Sequence, residues 1–477
     1  MNSADLLPIA PQIFLALAGM WLLVWGAFAG DKATTRINIA TMLVLAAAIA
    51  GASHPGEGKM LTLGGHIGAD SFTWLINLLL VLSGIGVLAL SNHFLKANKL
   101  RRPEFPVLVL FSVLGMMLMV GSESLLGLYV GLELQSLALY VLAAFQRDNI
   151  KSSEAGLKYF VLGALASGLL LYGISLIYGA TGTILFAKLH EVTAITPVPI
   201  ELTLGLVFIL AAMAFKMSAA PFHMWTPDAY QGAPTPVTAF FASAPKLAAF
   251  ALLMKLLMGP FAGLAAQSQQ IILLLAAASM AVGAFAALMQ NNVKRLMAYS
   301  SIGHVGYALV GLTAGKAGLE ATLLYLLIYI PMTLGAFAVI LSLKRDDVYI
   351  EDIASFAGLS KTRPVLAAFM ALFMFSMIGL PPLAGFFGKL YVFLAAVQAG
   401  YVWLAVLGVC FSVVAAFYYL RIIKVMYFDE PKDRFDRLPD IGVGAVLGVT
   451  GLFVLLFILA PGPALEITKA AVRALIL

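Results

Sequence analysis

Residues 201–246 read ELTLGLVFILAAMAFKMSAAPFHMWTPDAYQGAPTPVTAFFASAPK and decide the fold class. The apolar run from Leu202 has the length and character of a membrane-spanning helix, and a second apolar run follows from Pro234. Lys216 lies within the first run, and Pro221 follows it closely. Because proline lacks a backbone donor and clashes with the preceding turn, the helix should end or bend there. The stretch therefore predicts a membrane helix that is broken beside a buried charge.

The composition of the whole chain agrees with this local pattern. Of its 477 residues, 62% are hydrophobic and 11% are charged, with a mean hydropathy of +0.99. The apolar runs are continuous rather than alternating, which favours helices over a barrel. We predict an all-α integral membrane protein of about fourteen transmembrane helices. These segments begin near Leu6, Ile37, Phe72, Phe105, Leu125, Ala155, Leu202, Pro234, Ile271, Met297, Leu319, Pro364, Val402 and Ile441.

Basic residues are distributed unevenly over the loops between these segments. Alternate loops hold Lys32, Arg36, Lys96, Lys99, Arg101, Arg102, Arg147, Lys151, Lys294, Arg295, Lys344, Arg345, Lys361, Arg363, Lys432, Arg434 and Arg437. The other side holds only Lys59, Lys188, Lys316, Lys469 and Arg473. By the positive-inside rule, the basic side faces the cytoplasm and both termini lie outside.

Several classes of function are excluded by what the chain lacks. No polar stretch is long enough for a soluble catalytic domain. The single cysteine, Cys410, lies in an apolar segment, which excludes a disulfide framework and a thiolate cluster for iron–sulfur. The net charge of +6 reflects topology, so nucleic-acid binding is not expected. The apolar segment at residues 6–29 is long, and no basic residue precedes it. We therefore interpret it as the first membrane helix rather than a cleaved signal.

A few charges occur within apolar segments, where each requires a partner, a water-filled cavity or a function. For Arg421, Lys424 and Lys255 the simplest interpretation is that the side chain reaches the headgroups. The remaining charges are candidates for function: Glu133, Lys216, Lys246 and Lys389, together with Lys158 near the start of its segment.

Three of the candidate lysines stand beside helix breakers. Lys216 precedes Pro221, Lys246 directly follows Pro245, and Lys389 follows Pro381-Pro382. Interrupted helices place free backbone groups at mid-membrane, which is how many transporters build ion sites. The aromatic stretch after Pro221 also contains His223 and Asp228, and the tail from Ala464 predicts a short amphipathic helix at the interface.

Lysines, a carboxylate and histidines at this depth are the side chains of a proton relay. Burial disfavours a charged lysine and a nearby carboxylate opposes that effect, so Glu133 and Lys216 are expected to act as a pair. His223 and His304 can exchange protons near neutral pH, although His304 could equally be a hydrogen-bonded histidine inside the bundle. Tyr299, Ser300 and Ser301 could hold waters along the same line.

Five stretches of the chain resemble a known family. They are LYVGLELQS (128–136), SEAGLKYF (153–160), PFHMWTPD (221–228), KRLMAYSSIGH (294–304) and GLPPLAGF (379–386). Together they resemble the antiporter-like membrane subunits of NADH–quinone oxidoreductase, respiratory complex I, and the resemblance is strongest to the bacterial N type. The M type carries a glutamate where Lys389 stands, and the L type continues into a lateral helix, so both fit less well.

The resemblance implies two inverted five-helix repeats with discontinuous helices. The expected division is 1–104 for three N-terminal helices, 105–260 and 261–428 for the repeats, and 429–477 for the last helix and tail. It further implies that Glu133 and Lys216 form a modulating pair, that Lys246 is the central relay and that Lys389 is the terminal lysine. The implied supporting residues are Lys158, His223, Tyr299 and His304. The segment near Met297 lacks a carboxylate, so an equal ion pair in both repeats is not expected.

The same resemblance implies a proton-pumping, non-redox subunit in the bacterial inner membrane. No cofactor is expected in this chain, and flavin, iron–sulfur clusters and quinone belong in or beside partner subunits. The expected partners are neighbouring membrane-arm subunits and, indirectly, the peripheral arm. Two alternatives stay open: a subunit of a multi-protein sodium–proton antiporter, and a structural membrane subunit with charges that no longer function.

Overall fold

The computed structural model describes residues 3–52, 58–195, 198–345, 348–431, 435–436 and 440–476, with side chains from residue 6 onward. It is a bundle of helices, as expected for apolar segments that must satisfy their own backbone groups. Short 3₁₀ turns occupy Ser3–Ile9, Asp31–Ala33, Leu63–Gly65, Ala262–Leu264, Ile353–Phe356 and Phe457–Leu459.

The first half of the chain contains eleven α-helices and one hairpin among the described residues. They are α1 (Ala10–Ala29), α2 (Thr34–Ala50), β1 (Met60–Thr62), β2 (Ile67–Ala69), α3 (Ser71–Ala97), α4 (Glu104–Gly121), α5 (Leu125–Ala143), α6 (Ile150–Thr181), α7 (Phe186–Thr193), α8 (Ile200–Met217), α9 (Thr226–Gly232), α10 (Thr235–Ala242) and α11 (Ala244–Met258).

The second half repeats this style of long helices joined by short turns. Its elements are α12 (Ala265–Leu288), α13 (Val293–Leu312), α14 (Gly315–Leu341), β3 (Lys344–Arg345), β4 (Val348–Tyr349), α15 (Leu359–Thr362), α16 (Pro364–Ile378), α17 (Ala384–Gln398), α18 (Val402–Phe428), α19 (Ile441–Leu456) and α20 (Gly462–Ile476).

Twelve helical segments of the described chain are long and apolar enough to cross a membrane. They correspond to twelve of the predicted segments. The segment predicted near Met297 is α13, and the one near Pro364 is the pair α16 and α17; neither belongs to the twelve. The all-helical membrane fold is thus confirmed, whereas the count of fourteen spans stays a prediction.

The helix breaks occur where the prolines predict them. α8 ends at Met217, and Ser218 takes a left-handed conformation with φ of 67° before Pro221. α16 ends at Ile378, Gly379 is left-handed with φ of 93°, and α17 begins only at Ala384. A third interruption at Ser243 separates α10 from α11. A lysine stands near each break: Lys216 before Ser218, Lys246 after Ser243 and Lys389 after Gly379.

Two antiparallel helix pairs approach each other so closely that backbones touch. A Cβ atom on Gly115 of α4 would lie 2.4 Å from the Gln135 nitrogen of α5. A Cβ atom on Gly283 of α12 would lie 2.4 Å from the Gly303 nitrogen of α13. Small residues allow this kind of contact between membrane helices. A tight turn before Leu125 joins the first of these pairs, with Ser124 capping α5.

The basic loops contact one another at one end of the bundle. Arg102 pairs with Asp31 at 3.0 Å, and Lys294 pairs with Glu351 at 2.8 Å. Lys432, Arg434 and Arg437, also predicted on this side, lie outside the described residues.

Two peripheral segments of the chain have regular structure of their own. The Gly-rich loop from residue 54 contains the hairpin of β1 and β2, in which Met60 pairs with Ala69; residues 53–57 lie outside the described residues. The tail forms α20, as predicted, and α20 packs against α3 and α14.

Candidate functional site: a line of buried lysines

Lys216 occupies the last turn of α8, where the break before Pro221 begins. Its side chain is only 6% exposed. The ammonium donates a hydrogen bond to Ser136 Oγ at 2.6 Å and one to the Tyr140 hydroxyl at 3.3 Å. It also lies 5.6 Å from the centroid of the Tyr140 ring, which is within range of a cation–π interaction. Lys216 therefore satisfies its charge with hydroxyl groups of α5.

Glu133 lies on the same helix as these hydroxyl groups. Glu133, Ser136 and Tyr140 are spaced by three and four residues, which places them on one face of α5. The half-buried Glu133 carboxylate accepts a hydrogen bond from Ser167 of α6. Both residues are described, and no direct ion pair joins Glu133 to Lys216. Glu133 thus lies on the face of α5 whose Ser136 binds Lys216, and it forms no ion pair with Lys216 itself.

Lys246 lies near the start of α11, three residues after the interruption at Ser243. It is 2% exposed, on a helix that is enclosed by protein. Its ammonium donates to Ser301 Oγ of α13 and lies 5.7 Å from the centroid of the Tyr230 ring. The Tyr230 hydroxyl is 3.4 Å from the same Ser301 Oγ. Lys246 therefore faces the second half of the chain.

His304 connects several hydroxyl groups one turn further along α13. Its Nδ1 is 2.5 Å from the Tyr325 hydroxyl, and its Nε2 is 3.1 Å from the Tyr419 hydroxyl. The Tyr419 hydroxyl is in turn 2.5 Å from Ser300 Oγ. Ser300 is adjacent in sequence to Ser301, which binds Lys246. α13 therefore carries both the serine that contacts Lys246 and the serine that contacts Tyr419. The buried, hydrogen-bonded histidine is compatible with both interpretations left open for it.

Lys389 lies in α17, just beyond the second proline break. Its ammonium donates to the carbonyl of Ile378 at 2.8 Å and to Ser412 Oγ at 2.7 Å. Ile378 is the last residue of α16, and a cation is stabilised near unpaired carbonyls at a helix C-terminus. The Tyr307 ring lies 4.6 Å from the ammonium and 5.9 Å from the His304 ring. The Tyr307 ring therefore lies near both Lys389 and His304.

Three other predicted supporting residues have surroundings of their own. The half-exposed Lys158 pairs with Glu154 and Asp228, each at 2.6 Å. His223 is half-buried in the loop that joins α8 to α9, and Tyr299 is half-buried on α13. Within the described residues, neither side chain forms a hydrogen bond to the buried lysines.

Asp228 is held by two basic residues, because Arg295 also pairs with it at 2.5 Å. Burial acts to raise the pKa of Asp228, but hydrogen bonds and ion pairs with Lys158 and Arg295 outweigh it and lower the pKa overall. This cluster lies beside the basic loops.

Of the three basic residues expected to reach the headgroups, Lys255 does not. It is 3% exposed and pairs with Glu123 at 2.6 Å, so that expectation is wrong. Arg421 donates to the carbonyls of Leu288 and Gln290 at the end of α12. Lys424 is exposed and pairs with Asp429 at 2.5 Å, in agreement with the expectation.

Sequence reasoning missed most of the serines and tyrosines that contact the lysines, Glu133 and His304. They are Ser136, Tyr140, Ser167, Tyr230, Tyr307, Tyr325, Ser412 and Tyr419. A helical repeat of polar side chains was the available signal. On α13, residues 300, 304 and 307 follow the same three-and-four spacing as residues 133, 136 and 140 on α5. No group of three or more metal-binding side chains occurs among the described residues.

Comparison with known proteins places the chain in a family. The family model described as NADH:quinone oxidoreductase/Mrp antiporter, TM matches residues 122–415. NADH-quinone oxidoreductase subunit N of Paramagnetospirillum magneticum is 50% identical over 100% of this chain and 99% of its own length. The subunit N of Rhodospirillum rubrum is 53% identical over 98% of this chain and 97% of its own length.

Solved structures give the same result for the fold. A chain of respiratory complex I from Thermus thermophilus with bound aureothin is 35% identical, with a TM-score of 0.82 over 96% of this chain and 98% of that one. A chain of the Mrp complex from Dietzia sp. DQ12-45-1b is 22% identical, with a TM-score of 0.87 over 100% of both chains, which is a likeness of fold. With full-length identity near one half to several of its members, this chain belongs to the NADH-quinone oxidoreductase subunit N family.

Proposed function

We propose that the chain is a proton-translocating membrane-arm subunit of NADH–quinone oxidoreductase. One observation carries the proposal. Lys216, Lys246 and Lys389 are each less than a tenth exposed, and each donates a hydrogen bond to a serine hydroxyl of another helix. Intramembrane ionisable residues that face the interior of a bundle are characteristic of proton relays.

Hydroxyl partners suit proton transfer because one group can accept and donate at once. A serine or tyrosine that takes a proton from one neighbour can give its own proton to the next. Charges in the low-dielectric interior also interact strongly, so the arrival of a proton at one lysine changes the energy of the next charged state. In this proposal Lys246 is the central relay and Lys389 the terminal lysine, with His304 between them.

Glu133 is proposed to modulate Lys216, because it lies on the face of α5 whose Ser136 binds that lysine. Its charge acts over a short distance through a protein interior that screens poorly. Lys158, His223 and Tyr299 are proposed as supporting members. Lys158 and its carboxylate partners lie at the end of the bundle that carries the basic loops. These assignments rest on the positions described above and on the family resemblance.

The proposed architecture has two inverted repeats, at 105–260 and 261–428, between the three N-terminal helices of 1–104 and the final helix and tail of 429–477. The two main breaks support it, because each proposed repeat contains a helix that ends shortly before a proline: α8 at Met217 before Pro221, and α16 at Ile378 before Pro381. The proposed location is the bacterial inner membrane, with the basic loops in the cytoplasm and both termini outside.

We assign this chain a non-redox role in a translocase. NADH oxidation and quinone reduction, with flavin and iron–sulfur clusters, would occur in partner subunits, and neighbouring membrane-arm subunits would contact this chain directly. A sodium–proton antiporter subunit is the second candidate. It is supported by a likeness of fold at 22% identity, against 50% identity to subunit N relatives.

Substitution of the two later lysines in the assembled complex tests the proposal. Lys246→Met and Lys389→Met should each lower NADH-driven proton uptake by inverted vesicles about tenfold or more, since a positioned acid–base group is removed. Lys188→Gln, an exposed lysine on α7, is the matched control and should pump normally. Normal pumping by both methionine variants would refute the proposal, and purification without flavin or iron–sulfur subunits would favour the antiporter.

A further inference from the structure

A second buried charge cluster lies at the end of the bundle opposite the basic loops. Glu123 stands in the turn between α4 and α5 and is 7% exposed. One carboxylate oxygen is 2.6 Å from the ammonium of Lys255, and the other is 2.8 Å from that of Lys59. A single carboxylate therefore bridges a fully buried lysine and a lysine whose side chain is 41% exposed. This arrangement links the interior to the membrane surface.

Four segments of the chain build this cluster. The Glu123 backbone donates to the His66 carbonyl at 2.8 Å and accepts from the Phe186 nitrogen at 2.9 Å. Lys255 belongs to α11 and also donates to the Val120 carbonyl of α4 at 2.9 Å. On the hairpin, a Cβ atom at Gly68 would lie 2.9 Å from a Glu123 carboxylate oxygen. The hairpin of β1 and β2 thus covers the cluster.

The helix pair α4 and α5, which is joined by the turn that holds Glu123, also carries buried polar atoms at the level of the Lys216 site. Ser112 Oγ on α4 and Gln135 Oε1 on α5 are buried and have no hydrogen-bond partner within the described part of the chain. Gln135 is adjacent to Ser136, which binds Lys216. Buried polar atoms without a protein partner are positions that an internal water satisfies. The pair α4 and α5 therefore has polar groups at both places, in the surface cluster and beside the Lys216 site.

We propose that Glu123 and Lys255 form a proton-exchange site between the Lys216 region and the aqueous phase on the hairpin side. The inference deepens the proposed function and rests on it. A proton passes from the Lys255 ammonium to the Glu123 carboxylate, which leaves a neutral amine and a carboxylic acid. The acid then releases the proton to water beside Lys59, and the amine takes the next proton from the interior. No electron moves, and the Lys59 charge favours return of Glu123 to its ionised form.

The alternative is that the pair only fastens α11 to the turn between α4 and α5. Lys255→Arg separates the two roles, because arginine keeps the charge and the ion pair but does not give up a proton in proteins. The double variant Glu123→Gln/Lys255→Met is the complementary test, since it removes both buried charges together. Lys59 loses its carboxylate partner in this variant, but its side chain is 41% exposed and stays in contact with water. Lys188→Arg, an exposed lysine on α7 at the same end, is the matched control.

The measurement is NADH-driven proton uptake by inverted vesicles, normalised to assembled complex on native gels. We expect Lys255→Arg and the double variant to assemble and to pump about 10²-fold more slowly than wild type, or slower still, since a positioned acid–base group is lost. Wild-type pumping by either variant, or loss of assembly in both, would assign the pair a structural role and overturn the inference. If Lys255→Arg pumps normally while Lys246→Met does not, the inference alone fails; if both pump normally, the proposed function fails as well.

Discussion

Replacing Lys216 by methionine tests the lysine line with little disturbance of its packing. Methionine is unbranched and adapts to irregular spaces, so it fills the space of the lysine stem. The change removes the ammonium that donates to Ser136 at 2.6 Å and to Tyr140 at 3.3 Å. It leaves the break before Pro221 unchanged, because that break is set by the proline and by the left-handed Ser218.

The expected effect on stability is small because two contributions oppose each other. Hydrogen bonds to a charged group contribute about 1.5–3 kcal/mol each, and two are lost. Burying an ammonium costs several kcal/mol, roughly the same amount, and this cost disappears with the charge. The complex should therefore assemble. Loss of a positioned acid–base group, by contrast, slows proton transfer about 10²–10⁴-fold.

Quinone-linked NADH oxidation and proton uptake should fall together in Lys216→Met vesicles, because coupled steps fail together. Both rates are measured on the same inverted membranes, with native gels to count assembled complexes. Lys424→Met is the control, since this lysine is 61% exposed and should tolerate the change. Lys216→Met membranes that oxidise NADH and pump at the wild-type rate would refute the reasoning.

Two further predictions concern stability. Gly385→Ala would place a Cβ atom 1.9 Å from the Ser376 carbonyl, so it should destabilise the complex by about 3 kcal/mol in denaturant titrations, whereas Gly444→Ala, with open space around it, should not. Because its basic partners hold the pKa of Asp228 below the usual value, its stabilising contribution is complete above about pH 4 and is lost as the pH falls through the lowered pKa. The gap in thermal stability between wild type and Asp228→Asn should therefore narrow on acidification, and a gap that widens would contradict the ion-pair assignment to Arg295.

The breaks in the helices could be predicted because their causes are local. Pro221 and Pro381 end helices through their own ring and missing donor, whatever surrounds them. The lysines beside these breaks were found for the same reason, since a charge in an apolar run is visible without any contact. The buried positions of Lys216, Lys246 and Lys389 then follow from the spans that contain them.

The partners of those lysines depend on packing between distant segments, and the sequence does not specify it. Ser412 reaches Lys389 from another helix, and Ser301 reaches Lys246 across 55 positions of the chain. The same limit explains Lys255. Its place near a helix end predicts a side chain that extends toward the headgroups, but Glu123, in the turn between α4 and α5, pairs with it.

The direct backbone contacts of α4 with α5 and of α12 with α13 have a mechanical consequence. Where Gly115 and Gly283 bring two helices together, no side chain lies between them that could change rotamer and absorb a displacement. Each helix pair should therefore move as one rigid unit and transmit a displacement along its length. The flexibility of the subunit would then be concentrated in the segments around Ser218 and Gly379, where helices are interrupted near Lys216 and Lys389.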